Sequence, residues 1–221
     1  RIFRNAYLSP RSPYVSLALP VQGIGSWAHY DKTFTVEDRG LREAAAGDGI
    51  YRMPNGVSFR IPTGAGEPNI AFVSRYDNFP DEMTFGLSGE ARHLYLLMAG
   101  STNWMQSRID NGEVIVRYAD ATQERLPLHN PTTWWPIDQD YFIDDYAFRR
   151  PEPIPPRIDL ATGETRILTV ENFKGRGGTV PGGAATVLDL PLDRERKLES
   201  VTIRALANEV VIGLMAATLV R

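Results

Sequence analysis

The chain contains no cysteine. That excludes thiol nucleophiles, disulfide frameworks and thiolate metal sites, and it leaves the redox compartment open. Histidine is scarce: His29, His93 and His129 lie far apart, without the His-x-x-x-His or His-Glu-x-x-His spacing that sets two ligands on one helical face. No apolar run approaches the roughly 18 residues a spanning helix needs, so no membrane span is expected. Charge of neither sign dominates: 24 basic residues are scattered among 27 acidic ones, which argues against the basic stripe of a nucleic-acid binder. No serine sits in a Gly-x-Ser-x-Gly elbow, and Gly23-Ile24-Gly25 lacks the third glycine and following helix of a dinucleotide site. Lys174-Gly175-Arg176-Gly177-Gly178-Thr179 lacks the Gly-Lys-Ser/Thr ending of a phosphate loop and reads as a hairpin tip. The opening Arg1-Ile2-Phe3-Arg4 shows neither an initiator Met nor a signal-peptide pattern, so the chain is expected to be a segment of something longer.

What is present is β pattern. With 43% hydrophobic and 23% charged residues over 221 positions, the chain can bury a core and is not of disordered composition. Val57, Phe59 and Ile61 alternate with Ser58 and Arg60; Val114, Val116 and Tyr118 with Glu113 and Arg117; Val201, Ile203 and Ala205 with Ser200, Thr202 and Arg204. Period-two alternation puts one face of each strand in a core and the other in water. Leu94 to Ala99 and Val210 to Val220 are apolar almost throughout, as central strands covered on both faces would be; β-branched content favours strand over helix in the second. The best helix candidate is Leu41 to Ala46, stopped by Gly47-Asp48-Gly49 and read as a surface turn. One β-sandwich domain over 1–221 is expected, with an extended N-terminal segment at 1–50 as an allowance. A split at the proline-rich Pro151 to Pro156 is the alternative.

Between Leu128 and Arg166 the alternation lapses into aromatics, carboxylates and proline, and long connections of this kind are often functional. Asp138, Asp140, Asp144 and Asp145 are interleaved with Tyr141, Phe142, Tyr146 and Phe148. Three roles stay open for these carboxylates. They can cap turns and strand ends, contact a ligand or calcium, or serve with Glu171 as the acid and base of glycoside hydrolysis. The cluster lacks the glycine-turned loop of an EF-hand, and no cofactor is expected beyond that calcium option. Trp27, Trp104, Trp134 and Trp135 are candidates for a platform on which sugar rings stack, or for core and loop bracing. Trp134 and Trp135, if extended, point in opposite directions, so at most one should be exposed.

Three runs, Arg92 to Gly100, Asn111 to Asp120 and Leu198 to Arg204, resemble strands of galactose-binding-like jelly rolls. More narrowly, Gly40-Leu41-Arg42, Phe72 to Pro80 and Asn130-Pro131-Thr132-Thr133-Trp134-Trp135-Pro136 resemble an uncharacterised Bacteroidetes-type family associated with polysaccharide breakdown. The resemblance implies a jelly-roll sandwich in a secreted or periplasmic carbohydrate-active protein, itself non-catalytic, whose partner is carbohydrate or an adjacent catalytic domain. The carbohydrate-binding candidates are then Trp27, Trp134, Trp135, Asp138, Asp140, Tyr141, Asp144 and Asp145. A glycoside hydrolase using the 138–145 carboxylates and a purely structural or assembly module are the alternatives. One departure stands out: Ala121 follows Asp120 where such domains carry glycine, a strain of roughly 1 kcal/mol if the site needs positive φ.

Overall fold

The structure is a computed structural model that describes residues 12–17, 35–75, 78–102, 106–140, 153–173 and 178–221. Its strands in chain order are β1 (Tyr14–Val15), β2 (Ile50–Arg52), β3 (Ser58–Arg60), β4 (Ile70–Ser74), β5 (Glu82–Gly86), β6 (His93–Thr102), β7 (Asp110–Tyr118) and β8 (Gln123–His129). They continue with β9 (Gln139–Asp140), β10 (Arg157–Asp159), β11 (Thr165–Arg166), β12 (Gly178–Thr179), β13 (Ala184–Pro191), β14 (Leu198–Ala205) and β15 (Val210–Val220). Two short helices, α1 (Arg39–Ala44) and α2 (Val170–Phe173), complete the described elements.

The fold is an all-β sandwich. A seven-stranded antiparallel sheet of order β1-β4-β15-β6-β13-β10-β11 packs on a four-stranded sheet of order β5-β14-β7-β8. Outward from the β7–β8 hairpin the pairing is nested: β6 pairs with β13, β5 with β14 and β4 with β15. The alternating strands supply the interface. Val114, Val116, Tyr118, Val201, Ile203 and Ala205 are all buried on the inner face of the smaller sheet. Ile212 faces them from β15: a side chain on Gly112 would come within 2.3 Å of its Cδ1. The outer face of the smaller sheet is ionic and hydroxylic, with Arg204 between Glu82 and Glu113, Arg125 on Glu113, and Thr84 bonded to Thr202.

β6 is buried along most of its length and β15 over Val210–Met215, as their apolar runs predict, with the β2–β3 hairpin on the far face of the larger sheet; Ala216 to Val220 fall short of that expectation, half-buried with Ala217 exposed. Thr218 of β15 donates to the Ser58 carbonyl, and Tyr51 Oη donates to the Gly163 carbonyl at 2.7 Å. The helix expected at 41–46 forms two residues earlier, over Arg39–Ala44, and is not a surface turn. Leu41 is fully buried, its N–H donating to the Leu160 carbonyl at 2.9 Å. Gly40 is required there: a Cβ would lie 2.2 Å from the Ala161 carbonyl oxygen. Behind it Arg42, also buried, pairs with Asp38 and donates to the carbonyls of Pro62, Gly64 and Glu67, fastening the following loop.

Candidate functional site

The described stretch of the long connection after β8, residues 130–140, is built into the sandwich rather than laid over it. The Ile137 N–H donates to the Gly100 carbonyl at 2.8 Å and its own carbonyl accepts from Ala184 N–H at 2.8 Å, while Val180 N–H donates to the Asp138 carbonyl at 2.7 Å. β9 then pairs with β12. Gly178-Thr179 is therefore a strand against the candidate loop, not a free hairpin tip; 174–177 lie outside the described residues.

The adjacent tryptophans pack into different clusters. Trp134 enters the main core, where Gly100 makes room for it: a Cβ at 100 would lie 3.0 Å from the Trp134 ring and 2.0 Å from the Val211 carbonyl oxygen. Trp135 forms a second cluster with Ile154 and Leu168. Their exposures are 0% and 1%. Stacking on a sugar needs an open ring face, and neither ring presents one.

Arg157, which sequence reasoning missed, is the centre of this region. It is completely buried, and its guanidinium lies 5.1 Å from the centroid of the Trp135 ring. Nη1 donates to the Gln139 carbonyl and to Asp140 Oδ1, each at 2.7 Å; Nη2 donates to the carbonyls of Pro136 (3.0 Å), Ile137 (3.2 Å) and Ala184 (2.6 Å). One side chain thus ties four carbonyls, three from the 136–139 segment and one from β13, to β10. A buried cation is stable only when paired and hydrogen-bonded, and this one is both. Asp140 accepts a second arginine, Arg166 Nη1 at 2.7 Å, and Arg166 Nε lies 2.9 Å from Asp159 Oδ1.

The electrostatics follow from this chain of alternating charges. Burial pushes the Asp140 carboxyl up, but the Arg157 and Arg166 guanidiniums outweigh it and hold its pKa below the ordinary aspartate value. Asp159 goes the other way: burial raises it and the two arginines only partly compensate. Burial also lowers the pKa of Arg157. An Asp140 held ionised between two arginines has no proton to give as a general acid, and each of its oxygens already accepts from a guanidinium.

Among the other candidates, Asp138 is buried and Glu171 exposed on α2, while Trp27, Trp104, Tyr141, Asp144 and Asp145 lie outside the described residues, as does His29. His93 and His129 do not meet; each pairs with its own aspartate, Asp189 at 2.8 Å and Asp110 at 2.7 Å. Among the described residues no group of three or more His, Asp or Glu side chains gathers as metal ligands, and no helix is long and apolar enough to cross a membrane. Two open concavities among the described residues lie away from these side chains. One, of about 620 Å³, is lined by Arg75, Asp81, Glu82 and Arg204; another, of about 350 Å³, by Glu90, Arg92, Arg194 and Arg221. Comparison of the chain with protein-family models and with curated proteins finds no match.

Proposed function

We propose that the chain is a non-catalytic accessory domain, of the jelly-roll type, in a secreted or periplasmic bacterial carbohydrate-active protein, and that it holds carbohydrate through a polar surface rather than through its aromatic loop. The nested strand pairing around the β7–β8 hairpin supports the jelly-roll reading. The biological setting rests on the resemblance of Arg92 to Gly100, Phe72 to Pro80 and Asn130 to Pro136. The observation that carries the choice between binding and bracing is the character of the described surface. Bracing a neighbour calls for a broad apolar face. Among the described residues the large hydrophobics exposed, Tyr14, Phe85, Ile109 and Ile167, sit on four separate segments, whereas the two grooves described above carry several charged side chains that suit a hydroxyl-rich ligand.

Affinity electrophoresis of the chain through gels containing a panel of plant and host polysaccharides tests this, with reducing-end release measured alongside. Retardation by at least one glycan without release of reducing ends is the expected result. Hydrolysis would overturn the non-catalytic reading. Free migration in every gel would overturn the binding reading and favour the brace.

A further inference from the structure

Three arginines meet where β6 begins and β15 ends. The β6–β15 pairing runs to His93 opposite Val220, and Arg92 N–H donates to the Val220 carbonyl at 2.7 Å. The next rung therefore sets Arg92 and Arg221 side by side on one face. Arg92 is fixed from its other flank too, its carbonyl accepting from Leu192 N–H at 2.8 Å. Arg194 arrives from the loop after β13, and with Glu90 and Ala91 the three line the groove of about 350 Å³.

Like charges facing each other across a ladder repel. Among the described residues no side-chain carboxylate lies within ion-pair distance of Arg92, Arg194 or Arg221, whereas Arg117, Arg125, Arg196 and Arg204 each have one. The Arg221 head is nevertheless seated. Nη1 donates to the Glu90 carbonyl at 3.1 Å and Nη2 to the Ser88 carbonyl at 3.0 Å, while Arg92 Nη2 donates to the Arg221 main-chain oxygen at 3.1 Å. Gly89 opens that seat: its φ is +76°, and a Cβ would lie 2.2 Å from Arg221 Nη1. Each guanidinium carries five donors, so most of them remain for a ligand.

We propose that this groove takes a carboxylate or sulfate group of an acidic sugar chain, the guanidinium forks matching paired anionic oxygens. The inference rests on the carbohydrate reading above and narrows it to acidic glycans. Calorimetric titration of the 221-residue chain with a uronic-acid oligosaccharide, a neutral oligosaccharide of equal length and sodium sulfate tests it. The acidic oligosaccharide should bind about tenfold or more tighter than the neutral one, and less tightly as salt rises. Arg92→Gln and Arg194→Gln should each weaken it about fivefold or more, and Arg60→Gln, at an exposed position on β3, should leave it unchanged. Equal binding of acidic and neutral chains, indifferent to Arg92→Gln, would overturn this inference and leave the carbohydrate reading intact. Binding of neither would overturn both. Sulfate bound as tightly as the acidic oligosaccharide would make the groove a bare anion site and overturn the glycan assignment.

Discussion

Asp140→Asn keeps the shape but removes the charge and turns one of two accepting oxygens into a donor facing an arginine, which makes it a sharp probe of the buried lock. The amide fills the same space and still accepts one hydrogen bond, but Arg157 loses its closest anion in a fully buried setting. Breaking a buried pair typically costs about 3–5 kcal/mol. Here Asp140 is 18% exposed, Arg157 keeps four carbonyl acceptors and Arg166 keeps Asp159, so the expected loss falls to about 2–3 kcal/mol. For a domain of this size that corresponds to a Tm drop of roughly 4–12 °C. The pH dependence has a definite sign. The folded-state pKa of Asp140 is depressed, so its contribution is complete above the ordinary aspartate value of about 4 and disappears as pH falls through the folded value. Asp159, with its pKa raised by burial and in part by the neighbouring Asp140 charge, contributes in the opposite direction, and the substitution removes only that smaller part. Urea denaturation of the native chain and the variant at pH 7 and pH 3 should give a gap that is large at pH 7 and narrower at pH 3. A gap under about 0.5 kcal/mol at pH 7, or one that widens on acidification, would refute the lock.

Three further outcomes are expected. Ala121 sits at φ +69°, closing the β7–β8 hairpin with its N–H on the Tyr118 carbonyl; Ala121→Gly relieves about 1–2 kcal/mol of left-handed strain and returns about 0.4–1 kcal/mol in chain entropy, so thermal melting should rise by roughly 1–4 °C. Gly100→Ala, with its methyl driven against the Val211 carbonyl oxygen and Trp134, should destabilise by about 2 kcal/mol or more in denaturant titration. Trp135→Ala should cost about 3–5 kcal/mol of stability, with no change in the glycans that retard the folded fraction.

The sheets were legible in the sequence because alternation is a local signal. Val114, Val116 and Tyr118, or Val201, Ile203 and Ala205, declare their buried face without reference to a partner strand. The conditional strain at Ala121 came from the family resemblance rather than from alternation, and the φ of +69° meets its condition. The candidate site was not legible. A divergence of Trp134 and Trp135 is expected of an extended backbone, but that both are enclosed depends on Gly100, Ile154 and Leu168 from other parts of the chain. Arg157 in Arg157-Ile158-Asp159 reads as an outward polar position of a short strand; its burial is decided by carbonyls of residues 136–139 and 184 that only the fold brings to it. The sequence signal of Asp140, a carboxylate among aromatics, is the same for a sugar contact and for a structural ion pair. Its two arginine partners distinguish them.

The central claim is that the loop from Trp134 to Asp140 is an internal lock and that any glycan is held elsewhere. Affinity electrophoresis of native chain, Asp140→Asn and Trp135→Phe, run at low temperature where each remains folded by circular dichroism, tests it most directly. The account predicts equal retardation of all three by whichever glycan retards the native chain. Loss of retardation in either variant with its fold intact would contradict it and return the site to the loop.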